Sequence, residues 1–191
     1  MSAPAADFYF DFLDPLSYLV GLELTRLDPT DTVEIRWVGV ELRPPPSPLI
    51  AQDDQALAHR WRDARTVAQR LGITFDPPAL APWTRKAHEL VLHAAESELD
   101  ALVRTRVFEA YLLDGLDIGR VDVLVAIARD AGLDTTESKA VLDVDRFEAA
   151  AADAMATAVD AGITDVPTLL REGRQLRGFH NHAALGTFLR R

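Results

Sequence analysis

Phe8, Phe10 and Phe12 alternate with Tyr9, Asp11 and Leu13. This period of two, rich in aromatic residues, predicts a strand from Asp7 to Leu13. Asp14-Pro15 then opens an apolar stretch that runs to Leu27. A carboxylate can accept the free amide hydrogens of a first helical turn, and proline suits the first helical position, so a sharp turn from strand into helix is expected. Val33 to Leu42, with Val33, Ile35, Trp37, Val38 and Val40, reads as a second strand, stopped by Arg43-Pro44-Pro45-Pro46-Ser47-Pro48. Strand, helix, strand opens an α/β unit.

From Asp53 onward the period becomes helical, because Leu57, Trp61, Ala64, Ala68 and Leu71 recur at steps of four and three before Gly72. Pro77, Pro78 and Pro82 interrupt the pattern. Thr84 to Glu96 and Leu99 to Asp114 read as two further helices, with Gly115 and Gly119 as stops. Val121 to Ala131 follows, ended by Gly132, and Asp134 with Glu137 caps a short helix to Leu142. An alanine-rich helix from Asp145 to Ala161 closes at Gly162. Two short strands, Pro167 to Leu170 and Gln175 to Phe179, precede a terminal helix from Asn181 to Arg191. The pattern divides the chain into an α/β part, residues 1–43 plus 145–191, and a helical insertion, residues 44–144, able to cover one end of the sheet.

A length of 191 residues suits one domain or one domain with an insertion, and 48% hydrophobic with 26% charged residues is a globular balance. The net charge of -10 argues against nucleic acid or an anionic membrane as partner. Cysteine is absent, which removes disulfides, thiolate nucleophiles, zinc-thiolate sites and iron-sulfur clusters from the chain's own chemistry. The opening MSAPAADFYFDFL lacks a basic leader, and Asp7 and Asp11, with Asp14 directly after it, interrupt its apolar run, so a cytoplasmic protein is expected.

Phe8-Tyr9-Phe10-Asp11-Phe12-Leu13-Asp14-Pro15-Leu16-Ser17-Tyr18-Leu19, together with Gly162-Ile163-Thr164-Asp165-Val166-Pro167-Thr168, resembles the DsbA-like thioredoxin-fold family over nearly the whole chain. Phe108-Glu109-Ala110-Tyr111, Gly115-Leu116-Asp117-Ile118-Gly119 and Asp122-Val123-Leu124 are most similar to its FrnE branch, whose relatives include kappa-class glutathione transferases and hydroxychromene carboxylate isomerases. The resemblance implies an α/β thioredoxin fold with an all-helical insertion domain. It also implies an active motif, Cys-Pro-x-Cys, at a helix N-terminus that lowers a thiol's pKa. Here the motif reads Asp14-Pro15-Leu16-Ser17, so dithiol exchange is closed to this chain. In the isomerase and transferase relatives a serine at the first position supports the thiolate of bound glutathione; a carboxylate there opposes it by like-charge repulsion. Trp83 stands where those relatives often have asparagine, and His180 where glutathione users often have aspartate.

Asp14 is open to two readings, a helix cap or a general base. A helix N-terminus favours the charged carboxylate by about 0.3–1 kcal/mol, which makes it a weak base. Ser17 is either a helix-surface hydroxyl or a nucleophile, with no histidine and acid arranged to activate it. The resemblance places Tyr18 beside the motif. It also makes Val166-Pro167 a cis-proline turn opposite the motif that offers backbone groups to ligands. His88, in Thr84-Arg85-Lys86-Ala87-His88, matches a FrnE-branch pattern on a helix bordering the cleft, and Trp83 is the aromatic best placed for a pocket. Neither His88 with His93 nor His180 with His182 has a metal-binding pattern, and no metal is expected.

Two functions follow. One is a redox-inactive DsbA/FrnE-like protein whose interdomain cleft binds a small molecule or a protein partner. The other is an isomerase or transferase that uses glutathione or another low-molecular-weight thiol as cofactor, or Asp14 as acid/base. A separate, pure-interaction reading forms a homodimer through an exposed apolar surface, such as the alanine-rich helix.

Overall fold

The computed structural model describes residues 6–27 and 33–190. β1 (Ala6–Phe10) enters α1 (Pro15–Leu24), and β2 (Ile35–Gly39) returns parallel to β1 with Trp37 opposite Phe8. β5 (Thr168–Arg171) runs antiparallel to β1 on its other side, and β6 (Arg174–Arg177) completes a sheet in the order β2-β1-β5-β6. Between β5 and β6, Glu172 and Gly173 have φ of 51° and 78°. Two successive left-handed residues match the twist of a tight hairpin.

The helices between β2 and β5 are α2 (Gln55–Leu71), α3 (Arg85–Ala95), α4 (Asp100–Leu112), α5 (Val121–Asp130), α6 (Thr135–Asp143) and α7 (Glu148–Asp160). β3 (Ile50–Ala51) and β4 (Leu80–Ala81) pair as a separate antiparallel ribbon, and α8 (His182–Arg190) packs on α1. Arg191, expected to close the last helix, lies outside the described residues.

Phe8, Phe10 and Leu169 face one side of the sheet and join Leu19, Leu185 and Leu189 in the main core. Through Phe12 and Phe108 this core continues into the helices, reaching Tyr111, Leu124 and Leu142. The opposite sheet face buries a smaller set, Tyr9, Val40, Ala158 and Val166. Burying each such aliphatic or aromatic side chain favours folding by about 1.5–3 kcal/mol, so this aromatic spine is what seats the sheet against the helices.

β1 ends at Phe10, three residues before the alternation does. There the Asp11 side chain takes over the pairing, because its Oδ2 accepts the Leu42 amide at 2.7 Å and the Asp14 amide turns back to the Asp11 carbonyl at 3.1 Å. α7 starts at Glu148 rather than Asp145, since Asp145 is held at φ 53° outside the helical region. α1 ends at Leu24, and Arg26 and Leu27 continue it only as turn-type bonds. Among the described residues no helix is long and apolar enough to cross a membrane.

Candidate functional site

The carboxyl ends of β1 and β2 gather the acidic side chains. Asp14 caps α1 with extended backbone, φ -96° and ψ 108°, and Pro15 follows as expected. Its Oδ2 accepts both the amide and the hydroxyl of Ser17, each at 2.7 Å. Both residues are fully buried. Ser17 is therefore a donor inside the structure and not a surface hydroxyl. The expected low proton affinity of Asp14 does not hold. Burial pushes its carboxyl up to about 6, against the pull of Arg60 and of the Ser17 hydrogen bonds. Loss of solvation outweighs the helix N-terminus once the carboxylate is sealed from water.

Arg60, on α2, supplies the countercharge. Its Nη1 lies 3.3 Å from Asp14 Oδ1 and 3.0 Å from the Val166 carbonyl, while Nη2 donates to Asp165. Asp165 Oδ1 accepts the Val166 amide at 2.8 Å, and the Val166-Pro167 bond is cis, as the resemblance implied. One guanidinium thus joins α1, α2 and the turn before β5. Sequence reasoning did not single out Arg60; its one signal was a place three residues after Leu57 and four before Ala64, on the buried stripe of α2.

Beside this lies a second group. Asp11 is buried, and His88 Nε2 sits 3.5 Å from its Oδ1. The His88 ring packs on Phe10 and Phe12, with centroids 5.5 and 4.8 Å away. Gly39 makes this possible, because a methyl there would come within 2.2 Å of His88 Nδ1. Glu41 Oε1 accepts the Thr84 and Arg85 amides at 2.8 and 3.2 Å, so it caps α3 from outside the helix. Burial raises the Glu41 carboxyl above its ordinary range, and those amides oppose the rise. A groove of about 450 Å³ opens here, lined by Gly39, Glu41, Arg85, His88, Glu148 and Met155 among others. Glu41 and Met155 also line a hollow of about 180 Å³ that reaches Asp165 and Val166, next to Arg60.

The remaining candidates lie elsewhere. Tyr18 is 7% exposed, packs on Phe75 and Phe108, and lines a separate hollow of about 90 Å³ with Trp37 and Arg104. Trp83 is 42% exposed, with its indole nitrogen donating to the Ser47 carbonyl at 3.0 Å. His180 turns Nε2 to the Arg177 carbonyl at 3.1 Å. His93, Glu96 and Glu137 bring ligand atoms within 4.8 Å of one another, a grouping that histidine spacing did not reveal. Arg146 already pairs with Glu96 at 2.8 Å.

Comparison with known proteins agrees with this architecture. The uncharacterized protein YwbO of Bacillus subtilis (strain 168) is 29% identical over 167 residues, which is 85% of this chain and 84% of YwbO. A probable DsbA oxidoreductase from Streptomyces coelicolor superposes with a TM-score of 0.82 at 19% identity, over 97% of this chain and 88% of that one. A 2-hydroxychromene-2-carboxylate isomerase gives 0.73 at 22% identity, over 96% and 92%. The cytosolic disulfide reductase DsbM of Pseudomonas aeruginosa gives 0.68 at 18% identity, over 98% and 92%. Residues 5–189 match the DSBA-like thioredoxin domain, and the chain, which has no cysteine, belongs to that family.

Proposed function

We propose that this chain is a thiol-independent member of the family that binds a small organic molecule in the groove between the end of β2, the start of α3 and α7. The observation that carries its independence of thiols is Asp14, and the groove itself supplies the place for a ligand. Asp14 stands where the family's motif has its nucleophilic cysteine, is fully buried, and has both oxygens engaged by Ser17 and Arg60. A chain without cysteine cannot exchange disulfides on its own account, and a carboxylate at that position opposes a recruited thiolate. The FrnE-like motifs around Phe108 and Gly115 support a place in that branch. The missing cysteines and the cytosolic description of DsbM suit a cytoplasmic setting.

Two measurements test the reading. With insulin and dithiothreitol the protein should not accelerate disulfide reduction. Calorimetry with reduced glutathione, and with 2-mercaptoethanol as control, should show no saturable binding. Acceleration overturns the proposal, and one-to-one binding of glutathione replaces it with a recruited-thiol transferase or isomerase.

The proton affinity of Asp14 favours a second reading, because a group titrating near 6 can move protons at neutral pH. Asp14 would then be the acid/base of a small-molecule isomerisation, reached when Arg60 moves aside. 2-Hydroxychromene-2-carboxylate, the compound named for one structural neighbour, is the probe. Turnover without glutathione that Asp14→Asn abolishes supports this reading; no turnover, or turnover that survives the substitution, removes it.

A further inference from the structure

The walls of the groove narrow its ligand. Pro44, Pro45, Ala151, Ala152 and Met155 are apolar, and four polar side chains remain: Glu41, Arg85, His88 and Glu148. Arg85 is engaged, since it bonds to Glu148 and its Nη2 lies 3.1 Å from Asp145. Arg85 and Glu148 therefore offset each other.

Glu41 and His88 are different, being 6% and 5% exposed with unused atoms. Glu41 spends Oε1 on two α3 amides; Oε2 has no partner among the described residues, yet is not sealed from solvent. His88 Nε2 is the sealed ring nitrogen, and it faces Asp11 Oδ1 at 3.5 Å. Among the described residues no hydrogen-bond partner meets His88 Nδ1, and it too is not sealed. The unused Glu41 oxygen accepts hydrogen bonds, and no cation is hydrogen-bonded to it among the described residues. A ligand group that only donates fits it: the ammonium has three N–H donors and no acceptor. A carboxylate or phosphate would meet acceptors, with the one guanidinium already taken. A buried carboxylate gains most from a partner of opposite charge, and the apolar walls suit a hydrocarbon body.

We propose that the groove holds a primary amine carried on an apolar body, its ammonium donating to Glu41 Oε2 and its hydrocarbon lying on Met155 and the alanines of α7. This rests on the reading of the groove as the ligand site. The test is calorimetry of the full chain at neutral pH with three probes of matched shape, 2-phenylethylamine, 2-phenylethanol and phenylacetate. The amine should bind one-to-one and at least about tenfold more tightly than the alcohol, and phenylacetate should give no saturable heat. Glu41→Gln keeps an oxygen for the α3 amides and should reduce amine affinity to that of the alcohol. Met155→Trp, which fills the groove, should abolish binding of both. If the alcohol equals the amine, or Glu41→Gln keeps the preference, the ligand class is wrong while the groove stands. If all three probes are silent, or Met155→Trp still binds amine, the groove reading falls as well. Should Glu41→Gln not fold, the ranking of the three probes on the native chain decides.

Discussion

Arg60 and Asp14 form a buried ion pair, with Nη1 3.3 Å from Oδ1, and the same nitrogen holds the Val166 carbonyl at 3.0 Å. Asp14, Arg60 and Val166 thus make a structural joint between α1, α2 and the turn before β5. Removing one partner of a buried pair strands the other charge, which costs about 3–5 kcal/mol. The Arg60 side chain is 15% exposed, so the lower end applies. Arg60→Met should therefore lose roughly 3 kcal/mol in urea denaturation, and Asp14→Asn in the same chain should recover part of it. A loss below about 1 kcal/mol would mean the pair does not organise the joint.

Asp14 also sets a pH dependence with a definite sign. Its carboxyl is raised by burial from an ordinary 3.8 to about 6, so the folded chain binds this proton more tightly than the unfolded one. The stabilisation is complete below about pH 4 and is lost as pH rises through about 6. At about 1.4 kcal/mol per pH unit the span is on the order of 3 kcal/mol. Measured against Asp14→Asn, which does not titrate, wild-type stability should fall across this window and then level off. A difference that rises with pH would mean that Arg60 outweighs burial.

The helices were legible because Leu57, Trp61, Ala64 and Ala68 mark a buried stripe, and the strand-to-helix turn because Asp14-Pro15 is local chemistry. β3 and β4, at two residues each, are too short to show a period. Arg60 was hidden because its partners lie 46 and 106 residues away, and no local pattern carries that distance. The proton affinity of Asp14 was misjudged for the same reason, since the helix N-terminus is a local property and burial is not. Tyr18 follows Ser17 by one residue, which on a helix turns it away from the motif and into the core against Phe108.

Gly39 and His88 are matched in shape. A methyl at Gly39 would lie 2.2 Å from His88 Nδ1, too close to tolerate without moving a ring wedged against Phe10 and Phe12. Gly39→Ala should destabilise the fold by about 1–3 kcal/mol, the usual range for overpacking. His88→Ala should make the same substitution nearly neutral. Denaturation of the two single variants and the double variant measures this coupling; additive effects would show that the ring is not what Gly39 accommodates.

Glu23 closes the sheet's far helix by a different logic. It sits in α1 at 2% exposure, yet its Oε2 accepts the His182 amide at 2.6 Å, capping α8 across 159 residues of sequence. The His182 ring nitrogen lies 3.0 Å away, and Arg26 donates to Oε1 at 2.7 Å. Burial alone would raise this carboxyl, but the His182 and Arg26 contacts outweigh it and hold it below its ordinary value of 4.5. A depressed folded pKa stabilises above the unfolded value and loses that contribution as pH falls through the folded one, opposite in sign to Asp14. Glu23→Gln should therefore cost about 1–2 kcal/mol at neutral pH, the scale of a charge-assisted helix cap, and less in acid, below the ordinary value of 4.5. Amide exchange should report the loss first in α8. An equal cost at both pH values would show that the glutamate acts by shape rather than by charge.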